Sequence, residues 1–163
     1  MKSIFASAGS RSMFYIIDNK RGFKTFDTYE DAEYAHNVQC ELAKHNLAPL
    51  VYSDVVRRIV DKHKSWGFET EIAEMLGCGG NDCGCGKCED IWESKSRSIN
   101  NLCKKMEEIG FHFADNHVGN IGYVKRNGRR KLVCIDTGCE SVNSDYDSYE
   151  DEVCSCTACR RLS

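Results

Sequence analysis

The chain has 163 residues, a net charge of −3 at pH 7, and 41% hydrophobic against 29% charged residues. That length supports one core or two small lobes, the ordinary mix marks a soluble globular protein, and the mild acidity gives no general attraction to nucleic acid or anionic membranes. No apolar run approaches the roughly 18 residues of a spanning helix, and Met1-Lys2-Ser3-Ile4-Phe5 has no signal-peptide apolar segment, so the expectation is a cytoplasmic protein without a membrane partner.

Residues 4–26 are strand-like. Met13-Phe14-Tyr15-Ile16-Ile17 is a compact apolar run, Asp18-Asn19-Lys20-Arg21-Gly22 is a turn cluster, and Phe23-Lys24-Thr25-Phe26 alternates beyond it. This predicts a hairpin with Lys24 on its second strand. Residues 28–46 predict a helix. Thr28 and Asp31 form a capping pair, Ala32, Ala35, Val38 and Leu42 mark one apolar face, and Asn46 with Pro49 ends it. Residues 50–60 are rich in Val and Ile and residues 68–75 alternate, so each stretch is expected as a strand.

Residues 77–86 are too rich in glycine for a regular helix or strand, and the run Cys78-x4-Cys83-x-Cys85-x2-Cys88 crosses them. Such knuckles let backbone N–H groups turn toward thiolate sulfurs without Cβ clashes. A second short pattern, Cys154-x-Cys156-x2-Cys159, lies near the other end. The pairs Cys85/Cys88 and Cys156/Cys159 supply four thiolates for one tetrahedral zinc site. Cys78, Cys83 and Cys154 stand beside it, for a second site with Cys139 or a His, or for a two-metal cluster. Eleven cysteines without a secretory signal favour metal ligands or buried thiols over disulfides. Separate reactive thiols or an oxidised pair are the alternative. Cys40, Cys103 and Cys134 fall on apolar faces and are expected in the core.

Ile99, Leu102, Cys103, Met106 and Ile109 recur at helical spacing and stop at Gly110. Asp115-Asn116-His117-Val118-Gly119-Asn120 follows. Tyr123-Val124 and Leu132-Val133 then flank Asn127-Gly128, a strong hairpin signal, and Ile135-Asp136-Thr137-Gly138 comes next. Such a hairpin would bring Asn120 and Asp136 together. An Asp and an Asn on one loop with a second Asp shortly after are the parts phosphoryl transfer needs, a group to orient the attacking hydroxyl and oxygen ligands for Mg²⁺. A polar loop followed by an ordinary hairpin is the plain alternative.

Asp115-x4-Asn120 and Asp136-Thr137-Gly138 resemble the catalytic loop and metal-binding triplet of the protein-kinase-like superfamily. Ala114-Asp115-x-His117-x-Gly119-Asn120 is most similar to the aminoglycoside and choline phosphotransferases and to the atypical kinases linked to ubiquinone synthesis. The resemblance implies an α+β fold. An N-terminal antiparallel sheet with one helix (residues 1–76) would bind nucleotide, followed by a reduced helical lobe (77–163), which the cysteine clusters would staple with zinc. It implies ATP and Mg²⁺ as cofactors, to which the cysteine spacing adds Zn²⁺, with Asp115 as catalytic base and Asn120 and Asp136 as Mg²⁺ ligands. Lys24 would hold the nucleotide phosphates, Gly9 and Ser10 would cover them, Leu76-Gly77 would form the adenine hinge, and Glu74 would join Leu76 among the cofactor-binding residues. The lysine's carboxylate partner is expected near Ala35 or His36, neither of which is acidic. Glu33 is the nearest candidate on that helix.

A short second lobe cannot bury enough apolar area alone, and a structural zinc contributes on the order of 10 kcal/mol to folding. Lys125, Arg126, Arg129, Arg130 and Lys131 crowd the hairpin tip, a surface for an acidic protein partner or simply a solvated end. The acidic run 145–152 is expected as a linker, with docking on the basic tip as its other use. The expected function is therefore a minimal ATP- and Mg²⁺-dependent phosphotransferase acting on a small molecule or a protein. The alternatives are a pseudokinase that binds nucleotide without transfer and a zinc-ribbon-like nucleic-acid binder, the last opposed by the acidic balance.

Overall fold

The structure is a computed structural model describing residues 2–3, 12–78 and 85–144. It is an α+β arrangement of antiparallel sheets and two helices. In chain order these are β1 (Lys2–Ser3), β2 (Ser12–Ile16), β3 (Arg21–Phe26), α1 (Tyr29–Lys44), β4 (Val56–Val60), β5 (His63–Glu71), β6 (Glu74–Met75), α2 (Gly86–Glu107), β7 (Phe111–Phe113), a 3-10 turn (Val118–Asn120), β8 (Ile121–Arg126), β9 (Arg129–Cys134) and β10 (Val142–Ser144).

The first hairpin, β2–β3, forms where the apolar run and turn cluster place it. Asp18 Oδ1 accepts the N–H groups of Lys20 and Arg21 at 2.8 and 2.9 Å, which closes the turn. A five-stranded sheet follows in the order β1-β2-β3-β5-β4. Helix α1 begins at its N-cap Thr28, whose side chain accepts from the Asp31 N–H. It lays Ala32 and Ala35 on Phe26 and Phe68 of the sheet.

Two differences from expectation have local causes. Val51 makes only an isolated bridge, and strand β4 begins at Val56. Its hairpin partner β5 starts at His63 with exposed polar residues, so the apolar alternation becomes visible only near Phe68. The turn between them is Asp61-Lys62 with φ of 48° and 69°, a left-handed pair without the usual Asn-Gly signal. The expected strand 68–75 is also divided: β5 ends at Glu71, and β6 leaves the first sheet to pair with β8.

Helix α2 reaches back to Gly86, so Cys88 lies in its first turn and not in an irregular knuckle. Its N-terminal half is mostly exposed, and the apolar stripe begins at Ile99, which is why periodicity marked only the second half. Ile99, Leu102 and Met106 join Val38, Leu42 and Leu47 of the α1 region and Val118, Ile121 and Val142 in the largest core cluster. That one core seats α2 beneath the loop 115–120, and Asn116 Nδ2 donates to Cys103 Sγ at 3.4 Å. The β8–β9 hairpin turns at Asn127-Gly128, with φ of 50° and 75°, as its Asn-Gly pair requires. Among the described residues, no helix is long and apolar enough to cross a membrane.

Candidate functional site

Pairing of β8 with β9 runs Ile121 against Cys134, and one rung further the Ile135 N–H donates to the Asn120 carbonyl at 2.9 Å. The residues just before and just after the hairpin are therefore neighbours. Asn120 is 2% exposed, and its Nδ2 donates to the backbone oxygen and to Oδ2 of Asp115 at 2.9 and 3.0 Å. On the other side, the Ser141 hydroxyl donates to Asp136 Oδ2 at 2.6 Å. The Ser141 carbonyl accepts the N–H groups of Ala114 at 2.9 Å and Asp115 at 3.3 Å. Asp115, Asn120, Ile135, Asp136 and Ser141 thus close a ring of contacts. Asp115 turns a 44% exposed side chain outward from it.

His117 caps the 3-10 turn by accepting the Gly119 N–H on Nδ1 at 3.0 Å. An accepting Nδ1 places the proton of the neutral ring on Nε2, which lies 3.5 Å from Asp115 Oδ2. The ring therefore stands beside the same Asp115 oxygen that Asn120 bonds, without a hydrogen bond of its own to it.

Lys24 projects from β3 into the same place. Its Nζ donates to the Ile135 carbonyl at 3.1 Å and lies 3.5 Å from Asp136 Oδ1. Burial alone would raise the pKa of the Asp136 carboxyl. The Lys24 charge, the Ser141 hydroxyl and the Gly138 N–H outweigh it and hold the group below the usual carboxylate range. Thr137, fully buried, donates its hydroxyl to the Ala35 carbonyl of α1 at 2.9 Å and ties this segment to the helix.

A cavity opens above Lys24 and Asp136, lined also by Phe14, Gln39, Thr70, Ala73 and Met75. Its volume is about 70 Å³, a cleft open to solvent and smaller than the roughly 300–1,000 Å³ of enclosed small-molecule sites. Gln39 and Thr70 close one end, with Gln39 Nε2 donating to Thr70 Oγ1 at 2.6 Å. Strand β6 forms a wall of the cavity as the edge of its three-stranded sheet. The Leu76 N–H donates to the Ile121 carbonyl at 2.9 Å. Antiparallel ladders alternate hydrogen-bonded and non-hydrogen-bonded pairs, so the Met75–Gly122 pair of the register is of the second kind. Met75 directs its backbone N–H and carbonyl away from β8, along the open edge.

The expected site residues separate accordingly. Lys24, Asp115, Asn120 and Asp136 come together. Glu33 does not approach Lys24: it accepts the Tyr29 hydroxyl on the exposed side of α1 at 2.9 Å, and the lysine's carboxylate is Asp136. The helix turns Ala35 and Gln39 inward because apolar contact with the sheet sets its register. The expected hinge Leu76-Gly77 does not line the cavity; Ala73 and Met75, just before it, do. Leu76 has its N–H committed to β8, and Glu74, 71% exposed in its side chain, pairs with Arg130 at 2.9 Å. Arg126 of the basic tip is held by Glu71 through two bonds of 2.6 Å, so two of the five basic tip residues are engaged within the chain. Gly9, Ser10, Cys83, Cys154, Cys156, Cys159 and the acidic run lie outside the described residues.

Sequence reasoning missed Ser141, which joins the two acidic loops, and the cavity-lining pair Gln39–Thr70. Ser141 and Gln39 carry no periodic or motif signal, and Thr70 is marked only as part of the alternating stretch 68–75. Cys134 is buried, as expected for a core thiol, whereas Cys40 and Cys103 are only partly buried and Cys139 is disulfide-bonded, not free to serve as the metal ligand expected of it. Burial first and the nearby Asp136 charge push the Cys134 pKa well up, and the Cys134 Sγ donates to the Asp136 carbonyl at 3.1 Å.

The sequence matches no family model and no curated protein.

Proposed function

We propose that the chain has a minimal protein-kinase-like fold, binds a magnesium–nucleoside triphosphate in the cavity above Lys24, and transfers the terminal phosphoryl group to an acceptor hydroxyl. The observation that carries this reading is the ring joining Asp115, Asn120 and Asp136, with Lys24 of β3 set into it from the other sheet. Lysine on the third strand, a loop Asp and Asn, and a second Asp after a hairpin are the recurring parts of that chemistry.

Each side chain has a role its surroundings suit. Lys24 Nζ, 6% exposed as a residue, presents a fixed cation to phosphate oxygens. The open edge at Met75 offers one donor and one acceptor to the rim of a nucleobase. Asn120 uses its Nδ2 on Asp115 and keeps Oδ1 free to act as a ligand. With a carboxylate of Asp136 it forms an all-oxygen donor set that suits Mg²⁺, and when bound this ion neutralises charge on the transferring phosphoryl group. Asp115 accepts the proton of the acceptor hydroxyl. That oxygen forms a bond to the terminal phosphorus as the bond from phosphorus to the bridging oxygen breaks, which releases the nucleoside diphosphate.

A second reading, nucleotide binding without transfer, draws on one observation. Helix α1 brings no carboxylate to the lysine, and its Gln39 is bonded to Pro49 and Thr70, whereas active protein kinases use a Lys–Glu pair there. One pair of measurements separates the two. Nucleotide with Mg²⁺ at 100 times its Kd should stabilise the fold by about 2.7 kcal/mol in either case. Turnover of the triphosphate, lost in Asp136→Ala, belongs to the first alone. Neither stabilisation nor turnover would refute both.

A further inference from the structure

Three cysteines stand apart from the nucleotide cavity, and no step of the proposed transfer uses them. Cys78 follows β6, Cys85 is the N-cap residue of α2, and Cys88 lies in the first turn of that helix. Their sulfur atoms all lie within 4.8 Å of one another, with Cys88 Sγ 3.5 Å from Cys78 Sγ.

That spacing is informative. A disulfide brings two sulfurs to about 2.05 Å. Thiolates each about 2.3 Å from a tetrahedral zinc ion are separated by about 3.8 Å. The Cys88 N–H donates to the Cys85 carbonyl at 3.0 Å, so the turn itself folds the two sulfurs of the CxxC pair toward each other. Cys78 arrives from a different element. Three thiolates this close would repel one another, and a shared cation offsets that repulsion.

We propose that Cys78, Cys85 and Cys88 are three ligands of one Zn²⁺ ion. Soft sulfur donors select zinc and leave Mg²⁺ to oxygen donors, so this centre is chemically distinct from any ion at the nucleotide. Each thiol gives up its proton and forms one sulfur–zinc bond without a change of oxidation state. The N-terminal dipole of α2 partly offsets the charge of its two thiolates. Sequence grouping pairs Cys85 and Cys88 with Cys156 and Cys159 and leaves Cys78 to one side, whereas the geometry puts Cys78 in the same ligand set.

The position gives the ion a structural role. Just before Cys78, the Gly77 N–H donates to the Val118 carbonyl at 3.0 Å. A Cβ on Gly77 would stand 2.7 Å from Val118 Cγ2, so this backbone lies directly on the 3-10 turn that ends at Asn120. Cys88 packs against the main core cluster. Zinc would therefore fasten the exit of the cavity's edge strand to the helix supporting the catalytic loop. The proposal stands whether or not the chain transfers phosphate.

The test uses the full chain, purified after growth with added zinc and dialysed to remove loose metal. Metal analysis should find that Cys78→Ser/Cys88→Ser holds one zinc fewer per chain than the unmodified protein, with Cys40→Ser/Cys103→Ser unchanged. Cobalt in place of zinc should give sulfur-to-metal charge-transfer absorption that weakens in the first pair alone. Should the substituted chain fail to fold, differential alkylation of the unmodified protein decides. Zinc should protect Cys78, Cys85 and Cys88 together, as read by mass spectrometry, and a chelator should expose them together. Equal zinc content in the Cys78/Cys88 pair and the unmodified protein, or alkylation of the three thiols at rates indifferent to zinc, would overturn the assignment.

Discussion

Lys24 and Asp136 are 112 residues apart in sequence, and the Lys24 ammonium lies 3.5 Å from Asp136 Oδ1. The pair spans the space between the five-stranded sheet and the β8–β9 hairpin, and little water reaches it, with side-chain exposures of 8% and 21%. It is therefore a structural tie as well as the centre of the proposed phosphate site.

Removing the cation should reveal both roles. Lys24→Met leaves the Asp136 carboxylate buried without its counter-charge, a loss of about 3 kcal/mol at pH 7 for a pair of this burial. Because the Asp136 pKa then rises, the deficit should narrow as the pH falls and the carboxyl takes up a proton. Urea unfolding at pH 7 and pH 4 reads both effects. Thermal shift should also show that the substituted protein no longer responds to nucleotide. A response equal to that of the unmodified chain would remove Lys24 from the site.

Ser141 makes a sharper test of the same carboxylate. The Asp136 pKa is lowered in the folded protein. Its contribution to stability is therefore present above the unfolded value of about 3.9 and is lost as the pH falls through the lower folded value. Ser141→Ala removes a 2.6 Å bond to that carboxylate, so the folded pKa should move back toward the ordinary value. The expected result is a loss of roughly 1.5–3 kcal/mol at neutral pH that shrinks below about pH 4. Urea midpoints between pH 2.5 and 7, in buffer without Mg²⁺, measure it. A deficit constant across that range would mean the hydroxyl acts through packing alone.

Asp115 differs from Asp136 in being open to solvent on one side. Asp115→Asn keeps the size of the group and removes its ability to accept a proton. Turnover should fall by roughly 10²–10⁴-fold, while nucleotide binding, read by thermal shift, stays within a factor of a few. Equal loss of binding and turnover would instead place Asp115 in nucleotide binding.

How far these positions were legible in the sequence depends on what sets each one. Local chemistry set the Asn127-Gly128 hairpin, the Thr28 cap and the α1 face, and all three could be read directly. The juxtaposition of Asn120 and Asp136 followed from the hairpin alone. The Asp61-Lys62 turn could not be read, because Lys62 takes the left-handed position where a glycine usually follows the Asp. The division of the strand expected over 68–75 reflects a choice between two sheets, made by the pairing of β6 with β8. Ser141 acts through a tertiary contact five residues from Asp136, with nothing in its neighbourhood to mark it. The lysine's partner was sought on α1, but core packing turns Glu33 outward and leaves Asp136 as the carboxylate within reach.

Glu71 and Arg126 connect the two sheets on the other side of the cavity. Both guanidinium bonds are 2.6 Å, Arg126 is 19% and Glu71 16% exposed in the side chain, and Glu71 also lines the cavity. Hydrogen bonding to Glu71 raises the Arg126 pKa, so the guanidinium is charged at every pH at which the fold would be measured. Loss of either partner strands the other in a largely buried position. Arg126→Met and Glu71→Gln should each cost about 3 kcal/mol. The double substitution should cost less than their sum, by a coupling of about 2 kcal/mol. A double-mutant cycle from urea unfolding gives this value directly. Arg126→Met should also weaken nucleotide binding without altering the turnover rate at saturation, because it loosens a cavity wall and leaves Asp115, Asn120 and Asp136 in place. Additive losses would mean the contact contributes little, and a fall in saturated turnover would mean this tie also aligns the loop 115–120.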